Sequence, residues 1–185
     1  MASCYISTGY TLDCRTASTG GILEMWMLGG AGNDLTGYTV TSGEITAIGG
    51  VGTWFKFELP KQSASLTETL GINTTSQSVT FQPSIVVNLP KLDTALRDMF
   101  VDLVGQNSIY AIVHDNNNRF WAVFFNNGGL VTAGGVQTGQ AYTDLNGASA
   151  LTIAGGEPTS IRQINAASVT ALGTILTTGG FTFNP

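Results

Sequence analysis

The sequence predicts a mostly β domain, an antiparallel sandwich or barrel with one packed helix. Short apolar runs recur along the chain with polar, turn-forming segments between them. Glycine pairs at 20–21, 29–30, 49–50, 128–129, 134–135, 155–156 and 179–180 punctuate those runs as turns or bulges. A single stretch, about residues 90–104, has helical periodicity instead.

Taken in order, "GGILEMWML" (20–28) reads as a strand and "GGAGNDLTGYTVTSG" (29–43) as a long loop. "EITAI" (44–48) and "TWFKFEL" (53–59) follow as strands. In the second, Trp54, Lys56 and Glu58 alternate with Phe55, Phe57 and Leu59, as on a strand with two different faces. "ASLTETLGI" and "SVTFQPSIVVNL" flank the polar turn "NTTSQ", and Pro83 marks the latter run as an edge strand or a bulge. In "NLPKLDTALRDMFVDLVGQN", Leu92, Leu96, Met99 and Leu103 form one apolar face, with Ala95, Phe100 and Val104 beside it. Pro90 suits the first turn of that helix and Gly105 its C-terminal cap. "SIYAIVH" and "RFWAVFFN" are two apolar arms around a short polar tip, the pattern of a hairpin. "GGLVTAGG", a loop and "ALTIAGGEP" come next, then a strand at 161–164 and a Gly/Thr-rich tail. Without repeats or a linker, residues 1–185 read as one domain, with segment 1–19 and the tail from about 165 to 185 as candidates for extended arms.

Composition narrows the function. Charged residues make up 10% of the chain, against about 25% in an ordinary soluble domain. So little charge fits a surface largely covered by neighbouring subunits. The net charge of −5, with seven scattered basic residues, argues against wrapping nucleic acid. No run approaches a membrane-spanning length. The first residues lack the pattern of a secretion signal, which favours reduced thiols at Cys4 and Cys14 over a disulfide, and two thiols alone make no structural zinc site.

Residues that could carry chemistry are few. His114, the only histidine, is followed by Asp115 and Arg119 in "HDNNNRFW" and could be the centre of an active site. A lone imidazole lacks partners for a metal cluster or a nucleophile triad, and G-x-S-x-G, Walker-type and dinucleotide-binding motifs are missing. The apolar arms instead put His114 and Arg119 at strand ends, facing water or a neighbour. Glu24, Glu44, Glu58, Glu68 and Glu157 fall on different expected elements, so no glycosidase-like carboxylate pair stands out. Asp93, Arg97 and Asp98 suit helix-surface ion pairs. "TDLNG" (143–147) lacks the alternating acids of a calcium loop and reads as a turn. Trp26, Trp54 and Trp121 lie in strands, where packing is the default. The chain is therefore expected to be no enzyme, with no catalytic, metal or cofactor-binding residue.

The stretch from "FKFELPKQSASLTETLGINTTSQSVTFQPSIVVNLPKLDTALRDMF" through "VDLVGQNSIYAIVHDNNNRFW" resembles virion structural proteins of tailed phages, particularly phages of Bacteroidetes. The likeness runs through strand, "S-A-S-x-T-E-T", a "V-T-F" strand, helix and "D-N-N-x-x-[FY]-[FW]", and continues to "T-x-x-G-x-E-P", covering about residues 20–160. Within that group the architecture is most similar to tail tube proteins. The resemblance implies a virion location after assembly in the host cytoplasm, hexameric rings stacked into a tube, and DNA passing through the lumen. Implied partners are further copies and other tail proteins, namely a sheath if the tail contracts, the tape measure, and a baseplate or terminator. Loop 29–43 and the chain ends would reach adjacent rings. Six copies would carry a summed charge of about −30, which favours an acidic lumen that repels DNA. Two alternatives remain: another virion component (head–tail connector, terminator ring or capsid decoration protein) and a carbohydrate-binding β-domain.

Overall fold

A computed structural model describes residues 19–185 except Ser76 and Tyr142, so Cys4, Cys14 and most of the N-terminal segment lie outside the described residues. Among the described residues, eleven strands and two helices follow in the order β1 (Ile22–Gly29), β2 (Asp34–Thr41), β3 (Glu44–Glu58), β4 (Ala64–Asn73), β5 (Ser78–Pro90), α1 (Thr94–Val104), β6 (Ile109–Asp115), β7 (Phe120–Val123), β8 (Leu130–Gln137), β9 (Gly147–Ala154), β10 (Arg162–Ile164), α2 (Val169–Thr178) and β11 (Phe181–Phe183). The mostly β architecture of two packed sheets agrees with the expected fold class.

One sheet curls on itself. β1 pairs with β3 and β6, β6 with β7, β7 with β10, and β10 returns to β3. These pairings form a closed circuit, and the long β3 also holds β2 and β11 along its edges. The other sheet is open and antiparallel, in the order β4-β5-β9-β8.

Two cores follow from strand alternation. Met25 and Met27 of β1, with Ile109, Ala111 and Val113 of β6, face Ile85, Val87, Leu151 and Ile153 of the open sheet. Their neighbours Trp26, Leu28 and Ile112 point the other way, into the closed sheet, where they meet Trp54, Phe120, Leu172 and Phe181. β1 and β6 are therefore buried on both faces.

Helix α1 begins later than the cap signals suggest. Pro90 is the last residue of β5, and Asp93 caps the helix by accepting from the Leu96 amide at 2.8 Å. That bond chiefly holds the Asp93 carboxyl below its ordinary range. Gly105 is the C-cap as expected, and Leu96, Met99, Phe100 and Leu103 pack against the inter-sheet core. Pro83 lies on a central strand, one residue beyond Ser84, the first β5 partner of β9. Segment 29–43, read as a loop, mostly forms β2 against β3.

The C-terminal tail also differs from the extended arm considered above. After β10 it forms α2, capped by Ser168, and then β11 against β3. Gly173 and the β-branched residues around it disfavour a helix, yet Leu172 and Leu176 are fully buried and tertiary packing prevails. A Cβ on Gly173 would meet the Phe183 ring at 2.8 Å. At the C-cap, a Cβ on Gly179 would fall on the Ile48 carbonyl. We therefore expect Gly179→Ala to lower stability by about 1–3 kcal/mol, read as a shifted urea midpoint.

Candidate functional site

His114, the only histidine in the sequence, is inside the protein. Along β6 the alternation that sends Ile109, Ala111 and Val113 between the sheets sends Ile112 and His114 into the closed sheet. His114 is 5% exposed, not facing water or a neighbour as the hairpin reading had it, while Arg119 is exposed at the turn. The hairpin itself is as expected, with His114 opposite Phe120.

A polar chain runs through this ring. His114 Nδ1 lies 3.0 Å from Glu24 Oε1, and Glu24 Oε2 lies 3.2 Å from Lys56 Nζ, which is 3.6 Å from Glu58 Oε1. On its far side His114 Nε2 lies 3.0 Å from Asn118 Oδ1, and Asn118 Nδ2 donates to the Ala167 carbonyl at 3.2 Å. The ring stacks on Phe120 with centroids 4.2 Å apart and planes 14° from parallel. Both ring nitrogens are engaged, which leaves none free to meet a substrate. The geometry thus brings together Glu24, Lys56, Glu58 and His114, a set that sequence spacing did not single out.

The neighbouring Asp115 organises the turn. Its Oδ1 accepts from the amides of Asn117 and Arg119 at 2.8 and 2.9 Å, and its Oδ2 accepts from Trp121 Nε1 at 3.0 Å. Burial pushes the carboxyl pKa up, but the bonds from Trp121, Arg119 and Asn117 together outweigh it, so the pKa falls below its ordinary value of 3.8. A group lowered in this way stabilises the fold above its unfolded pKa, and that contribution is lost as pH falls through the folded value. Asp115→Asn is therefore expected to flatten the acid limb of stability below about pH 4, measured as urea midpoints against pH.

The three asparagines are connectors. Asn116 Nδ2 donates to the Gly20 carbonyl, and Asn117 exchanges two bonds of 2.9 Å with Thr19, so the turn grips the segment leading into β1. Asn118 adopts φ 59°, the left-handed region that asparagine tolerates.

Glu157 forms a second polar node and is only 3% exposed. Its Oε2 accepts from the Asn126 amide and side chain at 3.1 and 2.7 Å, and Oε1 from the Asn127 amide at 3.1 Å. Glu68 likewise turns inward, accepting from Ser160 Oγ and the Ile161 amide. Asp144 closes its own turn through the amides of Gln140 and Ala141, which hold its carboxyl below the ordinary range. Arg97 pairs with Asp98 at 3.6 Å on the α1 surface. Trp26 and Trp54 are fully buried, and Trp121 is half-buried.

The open sheet presents a different kind of surface. Its four strands contain one charged residue, the inward-turned Glu68. The face away from the core carries Ser65, Thr67, Thr69, Thr80, Gln82 and Thr152, and the threonine hydroxyls bond to strand carbonyls. Among the described residues β4 and β8 each pair with one strand only, which makes them the two edges of this sheet. Beyond the last β9 partner, the β4–β5 hairpin projects with Leu70, Ile72 and Val79 exposed on the face that elsewhere meets the core.

Comparison with protein families, with curated proteins and with solved structures finds no match, so function must be read from this geometry.

Proposed function

We propose that the chain is a virion structural protein that assembles edge to edge into rings, and that the rings stack as the tail tube of a tailed phage. The observation that carries this reading is the open sheet, whose edges β4 and β8 have no second strand partner among the described residues and whose outward face has no charge. Unpaired edges are templates for further strands, and proteins that stay monomeric usually guard them with charge or proline. Here β8 has neither. Pairing β4 of one copy with β8 of the next is a heterologous contact, which closes into a ring when its rotation permits. The same contact would cover the apolar face projecting at Leu70, Ile72 and Val79.

In such a ring the outward face of the sheet is the natural lining for DNA. It offers hydroxyl and amide groups, not the acidic wall suggested by net charge alone, and it gives phosphate no cation to hold. Sixfold symmetry, stacking, and contacts with sheath, tape-measure or terminator proteins follow from the resemblance.

Electron microscopy of the purified protein tests the reading. Long hollow tubes are the expected result. Isolated rings would move the assignment to a connector or terminator, and a monomer at high concentration would overturn assembly altogether. Glycan binding by that monomer would favour the carbohydrate-binding alternative, for which two of the three tryptophans are buried too deeply to form a stacking platform.

A further inference from the structure

The His114 chain has a property that assembly does not require. Asn118 Nδ2 donates to the Ala167 carbonyl, which fixes the amide so that Oδ1 faces His114 Nε2. On the opposite side of the ring, Nδ1 faces the Glu24 carboxylate. Both ring nitrogens therefore face oxygen acceptors, and both contacts are hydrogen bonds only when each nitrogen carries a proton. We propose that His114 and Asn118 form a proton-operated clasp joining the β6–β7 turn to the entry of α2.

With two protons on the ring, the chain from Glu24 through His114 and Asn118 to Ala167 is complete. When the ring loses one proton, the Nδ1 proton stays opposite the carboxylate, and Nε2 presents a lone pair to Asn118 Oδ1. The amide relieves that contact by turning its NH2 towards Nε2. Its oxygen then faces the Ala167 carbonyl, two acceptors meet, and the link to the residue before the α2 cap is lost. The clasp is closed at lower pH and opens as pH rises through the titration of His114.

Several elements place groups around the ring. β1 supplies Glu24 and the Trp26 ring, whose centroid lies 6.5 Å away. β3 supplies Lys56, and beyond it Glu58, both acting through Glu24. β7 supplies the uncharged Phe120 ring, and the turn supplies the Asn118 amide. The adjacent Asp115 binds the turn amides and Trp121.

Because His114 is the only histidine, its two ring nitrogens can be followed in 15N spectra of the full chain without ambiguity. The amides of Ala171 and Leu172, bonded to Ser168 in the first turn of α2, report on the clasp. Their hydrogen-exchange protection is expected to fall on the order of five- to tenfold as the ring loses its second proton, the size of one lost hydrogen bond. Protection at Val113 in the core serves as the reference. His114→Gln should remove the pH dependence. Asn118→Gly, which accepts the left-handed backbone, should give low protection at every pH. Flat protection in the unaltered protein through the histidine titration would overturn the clasp. So would a pH dependence that survives in either variant, and Asn118→Gly decides the matter if His114→Gln does not fold.

Discussion

Glu157→Ala is expected to destabilise the fold by about 3–5 kcal/mol. The carboxylate is buried and serves three N–H donors on Asn126 and Asn127. Truncation strands two backbone amides away from water, and a hydrogen bond to a charged group is worth about 1.5–3 kcal/mol. Asn126 also accepts from the Tyr38 hydroxyl and donates to Thr159, so the node ties the chain after β7 to β2 and to the approach to β10. The Glu157 backbone exchanges bonds of 2.9 and 2.7 Å with Phe81, linking the same node to the β4–β5 hairpin. Glu157→Gln keeps one acceptor oxygen but turns an NH2 towards a donor, and about half the loss is expected. Urea unfolding measures both variants, with the midpoint moving and the slope unchanged. A loss below about 1 kcal/mol for the alanine variant would show that water replaces the carboxylate and that the node is not structural.

How far such features could be read in advance depends on what strand alternation reveals. TWFKFEL alternates visibly, but it and EITAI, expected as two strands parted by glycines, form one continuous strand, β3, that runs through residues 49–52. IYAIVH does not alternate, because β6 lies between two cores and both of its faces are apolar. The hairpin was therefore legible, but the inward direction of His114 was not. Helix α1 announced itself through a one-sided apolar face, although Pro90 proved to end β5 and left the cap to Asp93. Helix α2 had no comparable signal: Thr, Val, Ile and Gly are poor helix formers, and only burial of Leu172 and Leu176 against the closed sheet selects the helix. Glu157 gave no hint of its role, since its donors are 30 and 31 residues away and two of them are backbone amides. The sparse charge was legible from composition, but its absence from the outward face of one sheet needed the strand register.

That register makes the assembly reading open to a decisive pair of substitutions. Val136→Lys on β8 and Leu70→Lys on β4 each place a charge at an exposed position on the face that turns towards the core, so a single chain tolerates either. A neighbour pairing along that edge would bury the charge, which is the device natural edge strands use to refuse partners. Each variant alone is expected to stop ring growth completely while changing monomer stability by no more than about 0.5 kcal/mol. The mixture separates the possible geometries. If β4 of one copy meets β8 of the next, Val136→Lys retains a working β4 and Leu70→Lys a working β8. Mixing them should then give a one-to-one pair that grows no further, read by light scattering after size separation. If β8 instead meets β8 about a twofold axis, Leu70→Lys should dimerise unaided and Val136→Lys should do nothing to it. Only the first outcome is compatible with a ring closed through the open sheet, because a twofold contact exhausts the edge it uses.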